Sequence, residues 1–451
     1  MTLDYKEKVD FLSALRQRIK SKKIRFDETL KNFGFDRMNE LISVKNTSEI
    51  KGYPFECYNK GEFKYALKVV PGEKKFNKDN NPSKLEITVL KKLTQDLVET
   101  YTSPHITYYL TNLKIPNRCT ALKCIDLKRL EAEDRIHRNS HMLVSEYIEG
   151  GCLDSWVYDR NESDMPPSDS EWKGLVFQVL YTLFVLQNKY RLNHNDTHYG
   201  NILVDTKIKS GGYFVYKLVH ADKTVTTYYV KNNGFIPKLW DFEFAMVYSD
   251  KIPGTFGNQF VIGPLEYDAK NHKTIEEYST PEGEFEYTVP VQFSDHYDSH
   301  YFLCSLLDLV ISRPLFDWIV SIYPEEVIPP SESSETATTP SLSESESESS
   351  IDGSSFYSST SELEFSNLSL GSDDESDDES NDESNESDKQ SENASSFVEY
   401  LQRGRLVNGR TGHLNIPSCY DLIKNGFFDE LKKVPEDYLE NESVTFEYHV
   451  L

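Results

Sequence analysis

The six cysteines of the sequence (Cys57, Cys119, Cys124, Cys152, Cys304 and Cys419) are scattered, and no two form a C-x-x-C pair. That spacing argues against a zinc module or a disulfide framework, and reduced thiols are the simpler reading. Long apolar runs are lacking as well. The most apolar stretch, 302–323, is broken by Asp308, Arg313 and Asp317, charges that are costly in a bilayer core. No membrane span is expected, and the opening residues MTLDYKEKVD lack the apolar region of a signal peptide. Positive charge is also in short supply, with 49 Lys and Arg against 74 Asp and Glu. Nucleic-acid binding needs clustered cations to displace counterions from phosphates, so none is expected.

The acid excess has a local origin. Residues 331–395 hold 19 acids and one lysine, leaving 55 acids and 48 bases in the rest of the chain. This Ser-rich tract has too few bulky apolar groups to offset the entropy of ordering, and reads as a disordered acidic insertion. Ser372, Ser376 and Ser380 each precede an acid by three positions, which suits phosphorylation by acid-directed kinases. A plain solubilising spacer is the alternative.

What is present reads as an α+β protein. Residues 1–40 form an N-terminal helical extension, with Leu12, Leu15 and Ile19 at helical spacing and Arg16 to Arg25 as a basic, solvated face. Phe63 to Val70 reads as a buried strand, and Lys84 to Leu93 as a helix. His141 to Ile148 is a strand closed by Gly150 and Gly151. Residues 171–189 form a long amphipathic helix striped by Trp172, Leu175, Val179, Leu183 and Leu186. Ile202 to Val204 is a strand, and Tyr213 to Val219 with Thr224 to Val230 make a hairpin inserted ahead of Leu239. Ile416 to Lys432 reads as one or two closing helices.

The chemistry concentrates in two segments. The first is His194-Asn195-Asp196-Thr197-His198-Tyr199-Gly200-Asn201, followed by the apolar Ile202-Leu203-Val204. The second is Leu239-Trp240-Asp241-Phe242-Glu243-Phe244. A carboxylate beside an apolar strand is costly unless it has a partner or a task. Transfer of a phosphoryl group from ATP needs three things: a carboxylate to orient the attacking hydroxyl, oxygen ligands for magnesium, and a cation on the phosphates. Asp196 suits the first task, and Asn201 with Asp241 the second.

The first segment resembles the H-R-D-x-x-x-x-N catalytic loop of protein kinases, and Asp241-Phe242-Glu243 is similar to their D-F-G motif. Ala66-Leu67-Lys68 resembles the V-A-I-K strand. Glu86 stands where that family places the ion-pair partner of its lysine. Met142 to Gly151 looks like the kinase hinge, with Ser145 as gatekeeper and Glu146 and Tyr147 reading adenine through backbone groups. Phe293 to Leu307 resembles the helix whose buried Asp braces the catalytic loop, with Asp298 favoured over Asp295. The likeness covers roughly 45–325 and 396–432.

The resemblance implies a bilobal protein-kinase-like fold. Residues 41–150 would be the β-rich N-lobe and hinge, 151–330 the mainly helical C-lobe, and 396–451 its closing helices and tail. It implies ATP and Mg2+ as cofactors, with Asn201 and Asp241 holding the metal and Asp196, Lys68, Glu86 and His198 as catalytic residues. Gly52, Lys68, Ser145, Glu146, Tyr147, Asn201 and Asp241 would bind nucleotide. His194 and Asp298 would give structural support. A serine/threonine kinase acting on a protein substrate, monomeric and cytoplasmic (in host cytoplasm or virion if viral), is the corresponding expectation.

Several positions depart from the family. Within Ile50 to Tyr58 only Gly52 matches a glycine of the phosphate loop, and Pro54 removes a backbone donor. Asn195 replaces the usual Arg. His198 takes the place of a phosphate-contacting Lys, as in haspin-type and some small-molecule kinases. Glu243 replaces the D-F-G glycine, and Thr280-Pro281-Glu282 is the candidate A-P-E. These traits resemble haspin-like enzymes and kinase-like proteins of large DNA viruses. A choline-kinase-like small-molecule kinase and a non-catalytic pseudokinase-type binding module stay open as alternatives.

Overall fold

The computed structural model describes residues 3–21, 42–43, 53–58, 64–70, 82–114, 141–252, 266–268, 273–280, 283–289, 293–322 and 417–450. Met1–Ile328 with Phe397–Leu451 forms one compact unit. Pro329–Ser396 is a second unit and contains no described residue. The expected acidic insertion at 331–395 and the phosphate-loop Gly52 therefore lie outside the described residues.

Helix α1 (Tyr5–Ser21) starts from a reciprocal cap, in which the Glu7 amide donates to Asp4 Oδ1 and the Asp4 amide to Glu7 Oε2. Its Tyr5, Val9, Leu12 and Ile19 are buried, and Lys8 lies on the same face. The Tyr5 ring stands edge-on to Phe446, Tyr101 and Phe214 at 5.5, 6.3 and 6.3 Å. Residues 22–40 of the expected 1–40 extension lie outside the described residues; within it, α1 belongs to the core, because its apolar stripe has aromatic partners. Its basic face is only partly solvated, since Arg16 pairs with Glu99 at 2.7 Å.

Strands β1 (Ile42–Ser43), β2 (Tyr53–Tyr58) and β3 (Lys64–Val70) precede helix α2 (Pro82–Leu93). A single π turn, Thr94–Val98, extends that helix. Strands β4 (Tyr109–Lys114) and β5 (His141–Glu146) complete an antiparallel sheet in the order β1-β2-β3-β5-β4. In its register Ala66 faces Ser145 and Lys68 faces Leu143.

Helix α3 (Leu153–Glu162) is followed by α4 (Asp169–Tyr190), which opens on a capping box between Ser168 and Glu171. Helix α4 is buried on nearly every side rather than along one stripe, which makes it the central helix of the second half. Strands β6 (Leu192–Asn193), β7 (Ile202–Asp205), β8 (Tyr213–Val219), β9 (Val225–Lys231), β10 (Ile236–Leu239) and β11 (Met246–Val247) follow. Here β6 pairs β11, β7 pairs β10, and β8 with β9 forms the expected hairpin. Strands β12 (Glu266–Asp268), β13 (Lys273–Thr280) and β14 (Gly283–Val289) make a separate antiparallel sheet. Thr280 ends β13, and Pro281 with Glu282 lies outside the described residues.

Helices α5 (Tyr297–Leu306), α6 (Arg313–Ser321) and α7 (Cys419–Lys424) and a 3-10 turn (Gly426–Lys432) pack near α4. The chain closes with β15 (Val444–His449), paired parallel to β8. The closing segment is therefore not only helices and a tail. Phe446 and Tyr448 alternate inward from β15, a period-two pattern that a strand satisfies and a helix does not. Among the described residues after 150, helices α3–α7 stand beside the short strands β6–β15. The molecule is α+β, and among the described residues no helix is long and apolar enough to cross a membrane.

Candidate active site

Two short ladders position the site. The 194–201 loop runs between β6 and β7, and the 240–245 loop between β10 and β11. Because β6 pairs β11 and β7 pairs β10, both loops are anchored at both ends by the same two ladders. Cross-links draw them closer. The His194 ring meets Trp240 O through Nε2 at 2.8 Å and packs on Phe242 at 4.7 Å. Asn195 Nδ2 donates to Phe244 O at 3.0 Å, and the Trp240 amide donates to Asn201 O at 3.3 Å.

Asp298, in the first turn of α5, braces the first loop from behind. Its buried carboxylate accepts from the amides of His194 (2.9 Å) and Asn195 (2.7 Å) and from Asn193 Nδ2 (3.1 Å). Asn195 has φ +65°, a left-handed conformation that L residues adopt reluctantly and that these bonds hold in place. Burial raises the pKa of Asp298, although His194 and the amide donors pull the other way. Asp295 is exposed, its carboxylate meets His296 Nδ1 at 3.3 Å and its backbone carbonyl accepts from the Cys419 amide, so the acid bonded to the loop is Asp298.

Asn201 closes a 3-10 turn, Tyr199–Asn201, that His198 caps by accepting from the Gly200 amide through Nδ1 at 3.1 Å. The Asn201 amide nitrogen donates to Asp196 Oδ2 at 2.7 Å and to Asp196 O at 2.9 Å. With its hydrogens engaged by Asp196, the side chain presents its carbonyl oxygen, the donor type that magnesium prefers. His198 Nε2 lies 3.8 Å from Asp196 Oδ1, beyond hydrogen-bond reach. Since Nδ1 accepts, Nε2 carries the proton of the neutral ring.

Lys68 gathers the acids. Its buried Nζ lies 3.0 Å from Glu86 Oε1, 2.6 Å from Asp241 Oδ1 and 3.6 Å from Glu243 Oε2. Burial lowers the lysine pKa, but Asp241, Glu86 and Glu243 outweigh it, so the net shift is upward and the ammonium stays charged. Burial raises Glu86 in spite of Lys68. Burial pushes Asp241 up as well, yet Lys68 holds it below the usual carboxylate range. Asp241 has φ +57° and leads into the 3-10 turn Phe242–Phe244, which the Ala245 amide closes on Phe242 O.

Ser145 is buried near the end of β5, and Tyr147 is half-buried just beyond it. Glu146 is sealed: its carboxylate accepts from the Tyr108 amide at 2.8 Å and pairs with Lys238 and with Lys8. Its amide donates to Tyr108 O at 3.0 Å, so neither the side chain nor the N–H of Glu146 is open to a ligand. The two glycines that follow do different work. A Cβ at Gly150 would sit 2.3 Å from Val204 O, and Gly151 takes φ +69°.

The structure therefore brings Lys68, Glu86 and Asp241 together, and Asp196 with Asn201 and His198. Trp240 lies between the two groups in the chain and bonds to Asn201. Sequence reasoning missed Tyr301, whose hydroxyl is 3.4 Å from Asp196 Oδ1, and the buried charges Lys8, Asp205 and Lys238. Lys8 carried a signal, because it interrupts the stripe Tyr5, Val9, Leu12.

A probable serine/threonine-protein kinase of Dictyostelium discoideum is 30% identical to this chain over 105 residues. The match takes in 23% of this chain and 8% of the relative, so the chain spans a small part of that protein's length. No protein-family model matches the chain.

Proposed function

We propose that the chain is an ATP- and magnesium-dependent phosphotransferase with a bilobal protein-kinase-like architecture, acting on serine or threonine hydroxyls of a protein. The observation that carries this reading is the buried ammonium of Lys68, held by Glu86 and Asp241, with the Asn201 amide turned onto Asp196. The sheet β1–β5 with α2 would be one lobe, and the elements from α3 onward the other. The hairpin β8–β9 ahead of Asp241 and the Asp-Phe-Glu sequence favour a haspin-like or large-DNA-virus type.

The donor set fits magnesium. Among the described residues no group of three or more His, Cys, Asp or Glu is placed to hold a metal alone. Magnesium on a nucleotide needs only one or two protein carboxylates, because phosphates and water complete its shell. Asp241 and the Asn201 carbonyl would be its protein ligands. When bound, the ion neutralises charge that develops on the transferred group. Lys68 holds the non-transferred phosphates, with Glu86 fixing the ammonium in place. Asp196 orients the acceptor hydroxyl and takes its proton. His198 offers Nε2–H to an outer phosphate oxygen. Asp298 keeps the loop backbone in the geometry this requires.

The test is a panel of acceptors presented to the full chain with Mg-ATP, comparing basic and acidic proteins with small alcohols such as choline. Phosphoserine or phosphothreonine on protein is the expected product. Phosphate found only on small alcohols would move the reading to a small-molecule kinase, and phosphate on none would remove it.

A further inference from the structure

Four charged side chains are sealed together behind the turn that joins β5 to α3. Lys8, Glu146, Asp205 and Lys238 are 6%, 1%, 0% and 2% exposed. Lys8 Nζ lies 3.1 Å from Glu146 Oε2 and also hydrogen-bonds Asp205 Oδ2, while Lys238 hydrogen-bonds Glu146 Oε1. The four come from four elements: α1, the end of β5, the end of β7, and β10. Such a cluster is poor at adding stability, because desolvating ions costs about as much as pairing them returns. What it does supply is fixed geometry.

The geometry it fixes is that of residues 146–151. At the entrance of the turn the Glu146 amide donates to Tyr108 O at 3.0 Å, and the Glu146 carboxylate accepts from the Tyr108 amide. At the exit the Gly150 amide donates to Val204 O at 3.1 Å, and the Val204 amide donates to Gly151 O at 2.9 Å. Asp205 follows Val204 directly. Lys8 therefore ties the residue that enters the turn to the strand that holds its exit. The close approach of Gly150 to Val204 O leaves that exit little slack.

We infer that Lys8 is a positioning residue for the base of the nucleotide: its ion pairs to Glu146 and Asp205 set the backbone of the 146–151 turn. Helix α1 is then a working part of the nucleotide site rather than a cap on the fold. The identity of the ligand rests on the kinase-type reading above; the clamp itself rests on the contacts alone. Without Lys8, Glu146 and Asp205 share the buried space with only Lys238. The two acids repel, and the β7 side of the clamp moves away from the turn.

The experiment uses the full chain and Lys8→Met. Hydrogen exchange without nucleotide is expected to be at least about tenfold faster at the amides of Gly150 and Val204, with α4 amides unchanged. Dissociation of Mg-ATP, read by calorimetry, and KM for ATP are expected to rise about tenfold or more, with kcat within about threefold of wild type. A merely structural role would not divide KM from kcat in this way. The double variant Lys8→Met/Asp205→Asn removes one cation and one anion and leaves the Glu146–Lys238 pair, so it carries the test if the single variant does not fold. It is expected to melt near the wild-type temperature and still to bind ATP weakly. Unchanged exchange in the turn, or unchanged ATP affinity in a folded variant, overturns the inference. A wild-type chain that binds no Mg-ATP overturns the base-positioning role together with the kinase reading, whereas the exchange measurement still reports whether Lys8 holds the turn.

Discussion

Lys68 Nζ lies 2.6 Å from Asp241 Oδ1, across 173 residues of sequence. Strand β3 supplies the ammonium, and the β7–β10 ladder delivers the carboxylate. The same ammonium is 3.0 Å from Glu86 and 3.6 Å from Glu243, so one buried cation is shared among three acids.

Removing the ammonium by Lys68→Met is expected to slow phosphate transfer by about 100- to 1000-fold, the usual loss when a preorganised charge-stabilising donor is deleted. Glu86 is then buried beside Asp241 without a cation, so the variant is also expected to melt earlier. Initial rates and thermal melts read both effects. A variant that keeps most of its rate would contradict the role assigned to Lys68.

Asp298→Ala strips two buried amides and the Asn193 side chain of their acceptor. The expected cost is about 2–5 kcal/mol in urea unfolding, since unpaired buried donors bear the full desolvation penalty. Asp295→Ala, altering an exposed acid, is expected to change stability by less than about 1 kcal/mol. Similar losses from the two would show that Asp298 does not brace the loop.

Stability should fall in mild acid, and His105 sets the first part of the fall. Its Nδ1 meets Pro237 O and its Nε2 meets the Tyr216 hydroxyl, both at 2.8 Å, and burial lowers its pKa from 6.5 to about 3. Between those values the unfolded chain binds a proton that the folded chain does not. The contribution of His105 is therefore complete above pH 6.5 and drains as pH falls toward 3, at up to about 1.4 kcal/mol per pH unit. Glu146 acts lower: burial raises it, but Lys238 and Lys8 bring it down from 4.5 to about 2, so its contribution is lost from pH 4.5 downward. Urea unfolding between pH 4.5 and 6.5 covers the His105 window, in which the raised carboxyls of Glu86 and Asp298 act in the opposite sense, so the comparison with a His105 variant assigns the His105 share. His105→Gln should flatten that window, and an equally steep slope in the variant would assign it to other groups.

Gly150→Ala and Gly151→Ala separate two reasons for glycine in one turn. The first places a methyl 2.3 Å from Val204 O and must displace the β7 contact, so weaker ATP binding and a loss of about 1–3 kcal/mol are expected. The second meets only Ser155 Cβ, at an ordinary 3.8 Å, but sits at φ +69°, with an expected cost of about 1–2 kcal/mol. Equal nucleotide affinity in Gly150→Ala and wild type would detach the turn from ligand binding.

Residues that act through local motifs were legible before any coordinates. Asp196 and Asn201 share one loop, and Asp241 follows an apolar strand; that spacing and flanking pattern gained weight from the other kinase-like segments standing in the same order. Lys68 and Glu86 were singled out through the resemblance to the kinase lysine strand and its helix glutamate; the strand and helix periods only placed them on those elements. The hairpin β8–β9 was read within a residue at each boundary. The parts that escaped depend on distant pairing. Lys8 and Asp205 stand 197 positions apart, and a single lysine in an amphipathic helix looks like surface until its partner is seen. Strand β15 escaped for the same reason: its alternation is short, and β8 supplies the ladder that makes it a strand. Helix α4 looked amphipathic because the stripe Trp172 to Leu186 satisfies that pattern, while Val176, Phe177 and Leu180 on its other sides are also buried.

The most direct test of the account is transfer of labelled γ-phosphate from Mg-ATP to a protein acceptor by the full chain, set against Asp196→Asn. The account predicts magnesium-dependent labelling of serine or threonine by the wild type and a fall of about 1000-fold or more in the variant, which keeps the loop but lacks the base. Equal labelling by the two proteins, or none by the wild type under any magnesium concentration, would contradict it.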